Sequence, residues 1–380
     1  MNKIKIAALI GAAFLTADVA SAADIYKSDD ASLSVYGRVK AEVLNGYGYQ
    51  AVSAKDGAED HPGFVGSARI GLHGESKAND FFSFYGDISY DLSAEDGVDA
   101  NDRMNVRYGY VGVRFGDYGE LLAGHMEPAS YRALAPVDVF DNWGIGGNGG
   151  SLDTYNVASG SRQDGIVMYK IDDLAGFGAS VSYRFRDHGD NLKGGISAGI
   201  SYDSPFGLGV TAGYNYDQAI DDKNYFDEDG KYVVMTGDRT EALFGLYYGS
   251  YGEPGFYAAG VYDHTKLNSP DGFGDLYGED ADTDWGFRGD GFDLLASYTT
   301  PKGMFTFTVD WGYFKNQYAN SDANDAVNQV SAIAVWNITD QASAQIEYVD
   351  NFGEGLPTDG HTIHDDFHQD LLSFSAIYSF

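Results

Sequence analysis

The stretch FTFTVDWGY, Phe305–Tyr313, decides the fold. Phe305, Phe307, Val309, Trp311 and Tyr313 share one face of an extended strand, and Thr306, Thr308, Asp310 and Gly312 share the other. That is period two, the signature of a β-strand with one apolar and one polar surface. LGVTAGYNYD repeats it, with Leu208, Val210, Ala212, Tyr214 and Tyr216 against Gly209, Thr211, Gly213, Asn215 and Asp217. ASAQIEY (342–348) and FFSFYGDISYDL (81–92) do so again.

Alternation alone also suits a soluble β-sandwich. Two features separate the cases. Aromatics recur at the ends of the apolar stripes, as where a barrel wall crosses the lipid headgroup level. The connections are also unequal. Tight turns fall at SKAND around Asn79, GDYGE 116–120, SPFG 204–207, TPKG 300–303 and ITDQ 338–341, whereas the segments 218–237, 266–284 and 351–366 are long and acidic. Short turns on one rim and long loops on the other belong to a transmembrane barrel.

Marking every such run predicts about sixteen strands, beginning near Leu33, Val65, Phe82, Arg103, Glu120, Arg162, Gly178, Lys193, Gly207, Arg239, Gly255, Gly289, Met304, Val327, Gln341 and Gln369. The strand at Arg103 alternates poorly, as if a neighbouring subunit covered its outer face. The chain closes on LLSFSAIYSF, patterned to its last residue, so the final strand is expected to pair with the first at SLSVYGRVKAEV. Hydrocarbon leaves no unpaired backbone group affordable, so the sheet must close on itself. A cylinder of that width is too wide for side chains to fill and holds water.

Residues 1–22, with Lys3 and Lys5 before an apolar run and then Ala20-Ser21-Ala22, read as a signal peptide cut before Ala23, leaving 23–380 as one barrel domain. The chain has no cysteine and a net charge of −33. The first removes disulfides as a source of stability; the second argues against nucleic acid as a partner.

One excursion breaks the pattern: APVDVFDNWGIGGNGGSLD, Ala135–Asp153, is rich in glycine and has neither strand nor helix period. Together with the start ADIYKSDDASLSVYGR, the run RYGYVGVRFGDYGELLAGH, the segment PVDVFDNWG and the terminal Phe380, it makes the chain resemble the general diffusion porins of Gram-negative bacteria. The resemblance implies an all-β, sixteen-stranded antiparallel transmembrane β-barrel with short periplasmic turns and long external loops. It also implies a homotrimer in the outer membrane, among lipid and lipopolysaccharide, passing small hydrophilic solutes and ions without a cofactor. The third loop, about 127–161, is then expected to fold inward, its glycines approaching the wall closely.

That resemblance implies a constriction with acids Asp138 and Asp141 facing a basic ladder of Arg38, Arg69, Arg162 and His125. The last stands where the family usually has arginine, and Asp141-Asn142-Trp143-Gly144 replaces the family's Pro-Glu-Phe-Gly-Gly. Period two independently sets Arg38 with Tyr36 and Lys40, and Arg69 with Ser67 and His73, on polar faces. Lys40, Glu42, Arg107 and Arg132 are further candidates for the pore lining. Acidic loops imply a negative vestibule and a weak cation preference; they also suit weak binding of divalent cations.

Competing readings remain open. A substrate-selective porin differs only in saturable binding. An outer-membrane hydrolase would need Ser130, His125 and Asp138 together, without a nucleophile-turn motif to support them. The acidic run Asp227–Gly230 lacks the ligand spacing of a calcium loop, and His361, His364 and His368 read as a solvated loop and not a metal site.

Overall fold

The computed structural model describes residues 22–46, 63–94, 103–142, 162–185, 192–219, 225–226, 232–234, 238–268, 285–318, 324–353 and 369–380. Its strands are β1 (Ala23–Lys27), β2 (Ala31–Gly46), β3 (Gly63–Lys77), β4 (Phe82–Ser93), β5 (Met104–Phe115), β6 (Glu120–Met126), β7 (Gln163–Leu174), β8 (Phe177–Arg184), β9 (Leu192–Asp203) and β10 (Leu208–Ala219). A small hairpin, β11 (Tyr225–Phe226) and β12 (Tyr232–Val234), stands apart. The wall continues with β13 (Arg239–Tyr248), β14 (Gly255–Asn268), β15 (Trp285–Thr299), β16 (Phe305–Tyr318), β17 (Asn324–Asn337), β18 (Ala342–Asn351) and β19 (Gln369–Ser379).

Each wall strand pairs antiparallel with the next, β10 pairs with β13, and β19 pairs back onto β2. The ring is therefore closed, with sixteen staves, and each expected strand start lies within four residues of a real one. The sixteenth stave is shared. β19 covers β2 from Arg38 to Gly46, and β1 covers it from Ser32 to Val35. Between them Gly37 N donates to Phe380 O (2.8 Å) and Phe380 N to Gly37 O (2.9 Å). The patterned C-terminus is needed because without it one edge of β2 would lie unpaired in lipid.

The faces sort as period two requires. On β13, Glu241, Leu243 and Tyr247 point inward and are buried, whereas Phe244, Leu246 and Tyr248 point outward and are exposed. Part of the glycine and tyrosine content follows from the inner face. Tyr36 lies flat over Gly71 of β3, and Tyr247 over Gly209 of β10. A Cβ on either glycine would stand 2.2 or 2.0 Å from the ring.

One rim carries the tight turns at 78–81, 116–119, 175–176, 204–207, 249–254, 300–304 and 338–341. Five were legible in the sequence. The turn at Ala175–Gly176 is a two-residue reversal with φ of 58° and 87°, compact enough to hide inside an apparently continuous strand. The poor alternation of β5 has a local cause. Its pairing with β4 slips between Ser89 and Tyr90, a bulge on β5 at Arg107, so that Arg107 and Tyr108 both turn inward.

Candidate permeation site

The chain leaves β6 at the rim opposite the tight turns and folds into the barrel. Glu127–Asn142 is described, including the single helical turn α1 (Tyr131–Leu134). Its apolar side, Ala133, Leu134 and Val137, packs on Leu243, Tyr257, Val261 and Leu295 of β13–β15. The inner wall is apolar there because a protein segment covers it. Burial contributes roughly 1.5–3 kcal/mol for each of Leu134 and Val137.

Wall hydroxyls take up the loop's backbone groups. Ala129 N donates to Ser182 Oγ (3.1 Å) and Ser130 N to Ser197 Oγ (2.8 Å). Thr211 Oγ1 donates to Ala133 O (3.2 Å), and the Tyr257 hydroxyl to Pro136 O (2.7 Å). The close approach comes from glycines of the wall. A Cβ on Gly199 would stand 2.2 Å from Ala129 O, and one on Gly213 would stand 2.7 Å from Ser130 O. The loop's own glycines, from Gly144 onward, lie outside the described residues. Arg132 holds the underside, with Nη2 on Asp172 (2.5 Å) and Nε on Ser180 Oγ (3.2 Å).

Further along, the strap reaches β2. Asp141 binds Arg38 Nη2 (2.7 Å) and Lys40 Nζ (2.9 Å), and Lys40 also meets Glu42 (2.8 Å). Asn142 Nδ2 donates to Glu42 Oε1 (2.6 Å) and Ser373 Oγ (3.1 Å), and Asn142 N to Glu347 Oε1 (3.3 Å). Burial disfavours the charged form of Asp141, but Arg38 and Lys40 outweigh it and hold the carboxyl at about 2. Asp141 was expected to face the arginines across water; it closes directly on Arg38 and Lys40.

Asp138 occupies the other position. The Tyr131 hydroxyl donates to it (2.6 Å), and burial raises its pKa, opposed by that bond and by the charges of Arg162 and Arg107. Those cations sit on the wall. Arg69 Nε and Arg107 Nη1 share Asp91 at 2.8 and 3.2 Å, and Arg162 Nε lies 3.3 Å from Glu127. The Tyr108 ring lies beneath both Arg107 (5.6 Å) and Arg162 (5.1 Å), its hydroxyl on Glu127.

The structure thus gathers Arg38, Lys40, Glu42, Asp141 in one group and Asp138, Arg69, Arg107, Arg162 around another. His125 departs from the expected ladder. It alternates with inward Leu122 and Met126, so it faces outward and pairs with Asp164 at 2.6 Å. Ser130 is fully buried inside, on the far side of the wall from His125, so the hydrolase constellation is not assembled. Asp91, Tyr108, Glu127 and Tyr131 complete the site, and the sequence reading had passed over them; Glu127 and Tyr131 lie in the loop itself. Among the described residues no group of His, Asp and Glu could hold a metal ion. His361, His364, His368 and Asp227–Gly230 lie outside them.

Known proteins share this fold. Residues 7–356 match the Gram-negative porin family. Outer membrane protein S2 of Salmonella typhi is 26% identical over the full length of both chains. Among solved structures, Salmonella typhi OmpF in complex with daunomycin superposes with a TM-score of 0.70, at 16% identity over 94% of this chain and 100% of its own. The OmpT of Vibrio cholerae in its trimer form does so at 0.65, with 16% identity over 93% and 100%. The chain belongs to the Gram-negative porin family. It is an outer-membrane channel and not an enzyme.

Proposed function

We propose that this channel passes small hydrophilic solutes and ions by passive diffusion, with a weak preference for cations, and works as a homotrimer. Arg107 and Arg162 act on Asp138 across its lumen, with Arg69 beside Arg107 on Asp91. One observation carries the ion preference: the basic ladder is neutralised where it stands. Arg38, Lys40, Arg69, Arg107, Arg132 and Arg162 each have a carboxylate within 3.3 Å. Arg69, Arg107 and Arg162 share Asp91 and Glu127, so one net positive charge remains opposite Asp138. The constriction is nearly balanced, and the acidic surplus of the chain, net −33, then sets the sign at the mouth. The trimer rests on family membership and on the assembly of the Vibrio relative.

The reversal potential across a tenfold KCl gradient in planar bilayers tests the preference. A weakly cation-selective value is expected, shrinking at high salt as screening shortens the field. A value at zero or on the anion side at low salt overturns it. Saturable block by a single solute class would favour a substrate-selective channel.

A further inference from the structure

A cavity of about 110 Å³ lies between the inward loop and the barrel wall. Pro128, Ala135 and Pro136 of the loop roof it, and Leu122 and Met126 of β6 with Met168 of β7 form its floor. The lining runs from Tyr108, which lies beneath Arg107 and Arg162, to Asp172 and Asp203, next to the tight turns at 175–176 and 204–207. One end is therefore apolar and aromatic, and the other is charged. An enclosed apolar cavity of about 150 Å³ holds one benzene ring, so this one, smaller but continuous with the lumen, admits a single six-membered ring and no fused system.

The apolar end suits an aromatic guest. Tyr110 of the lining meets Tyr108 edge-on at 6.3 Å and Tyr85 edge-on at 6.4 Å, and a further ring would extend that edge-to-face chain. The thioethers of Met126 and Met168 also favour ring edges. At the charged end Lys170 Nζ holds Glu120 (3.0 Å) and Asp172 (3.2 Å), and Arg132 Nη2 holds Asp172 (2.5 Å). Both cations are thus engaged. Asp203 differs: its Oδ1 accepts from the Tyr247 hydroxyl (2.5 Å), and among the described residues it has no ion-pair partner. It is half-buried and lines the cavity.

We infer that this cavity is a binding site for small monocyclic aromatic ammonium ions, with the ring among Leu122, Met126 and Met168 and the ammonium group on the Asp203 carboxylate. The inference extends the channel reading, on which it rests, by naming a solute class that the lumen detains. An ammonium group is the matching charge because Asp203 offers a charge-assisted hydrogen bond that no protein cation takes up. A carboxylate guest would meet Asp203 as a repelling neighbour and find Lys170 and Arg132 already held. A few converging polar groups beside an apolar floor are the usual make-up of a small-molecule site.

The test is the dissociation constant of 2-phenylethylammonium for the purified, detergent-folded full chain, read by ligand-observed NMR. It is compared with butylammonium, which lacks the ring, 2-phenylethanol, which lacks the charge, and 1-naphthylmethylammonium, whose ring system is too large. The wild type is expected to bind 2-phenylethylammonium about tenfold more tightly than each of the three. Asp203→Asn is expected to weaken 2-phenylethylammonium about fivefold and to leave 2-phenylethanol unchanged. Met168→Trp, which fills the cavity, is expected to abolish the preference for the ring; should it fold poorly, Asp203→Asn carries the test. Equal binding of 2-phenylethylammonium and any comparator by the wild type, or an unchanged preference in Asp203→Asn, overturns the site. Conductance of the same preparations keeps the two readings apart. A conducting wild type without the preference overturns the site alone, and a wild type with the preference but no conductance overturns the channel reading alone.

Discussion

Arg38 of the first barrel stave and Asp141 of the inward loop meet at 2.7 Å, with Lys40 closing on the same carboxylate at 2.9 Å. The loop is therefore held at both ends of its described path, by apolar packing and hydroxyls at α1 and by charge at β2. Asp141→Asn is expected to weaken the second hold by about 1–3 kcal/mol, since Arg38 loses this carboxylate and Lys40 keeps Glu42 as its ion-pair partner. Single-channel records should show more open-state noise, and the reversal potential should move toward anions. An unchanged record would mean that this contact does not hold the loop.

The same pair sets a pH dependence. The Asp141 carboxyl is depressed to about 2, so its stabilisation is complete above the ordinary carboxylate range and fades as pH falls through about 2. Loop-dependent noise in the wild type should stay constant from pH 7 down to pH 4 and rise only close to pH 2. An onset near pH 5 would assign the loop's hold to other carboxyls.

Gly199→Ala places a methyl 2.2 Å from Ala129 O without touching the outward face of β9. The barrel should still form, while the loop is pushed off its seat at a cost on the order of 1–3 kcal/mol. Limited proteolysis between residues 143 and 161 should accelerate in folded protein. Equal cleavage rates in wild type and variant would show that the hollow is not used.

Arg162→Gln removes one of the three charges of Arg69, Arg107 and Arg162 and leaves Glu127 with the Tyr108 hydroxyl. At a separation of roughly 8 Å in water, removing one positive charge helps a cation and hinders an anion by about 0.5 kcal/mol each, so the cation-to-anion permeability ratio should rise about fivefold at low salt and about twofold under screening near 0.1 M. A fall in the ratio would contradict the assigned lining.

His125→Ala provides the complementary control. Because His125 lies on the outer face beside Asp164, conductance and selectivity should match the wild type. A changed selectivity would return the imidazole to the lumen.

Strand number and closure were legible because lipid on one side and water on the other impose a strict period of two; the loop's inward course was legible only through the resemblance to porins. Legibility failed where that contrast fails. In ELLAGHM, Leu121 faces outward and Leu122 and Met126 face inward beneath the loop's base, so both faces are apolar and the parity of His125 cannot be read. At Arg107 a bulge resets the phase of β5. Asp141 was identified as a constriction residue, but its partner depends on how far a glycine-rich strap travels, and no local pattern encodes that distance. Gly199 and Gly213 sit among fifty glycines with nothing in their neighbours to mark them.

The hollows at Gly199 and Gly213 make the aperture a joint property of two separate parts of the polypeptide. A strap transplanted into a relative with alanine at those stations would ride higher and choke the passage. The same strap removed from its own cylinder would leave two dents with nothing to fill them. Variation in bore among such proteins can therefore arise by small changes in the cylinder while the strap itself stays as it is.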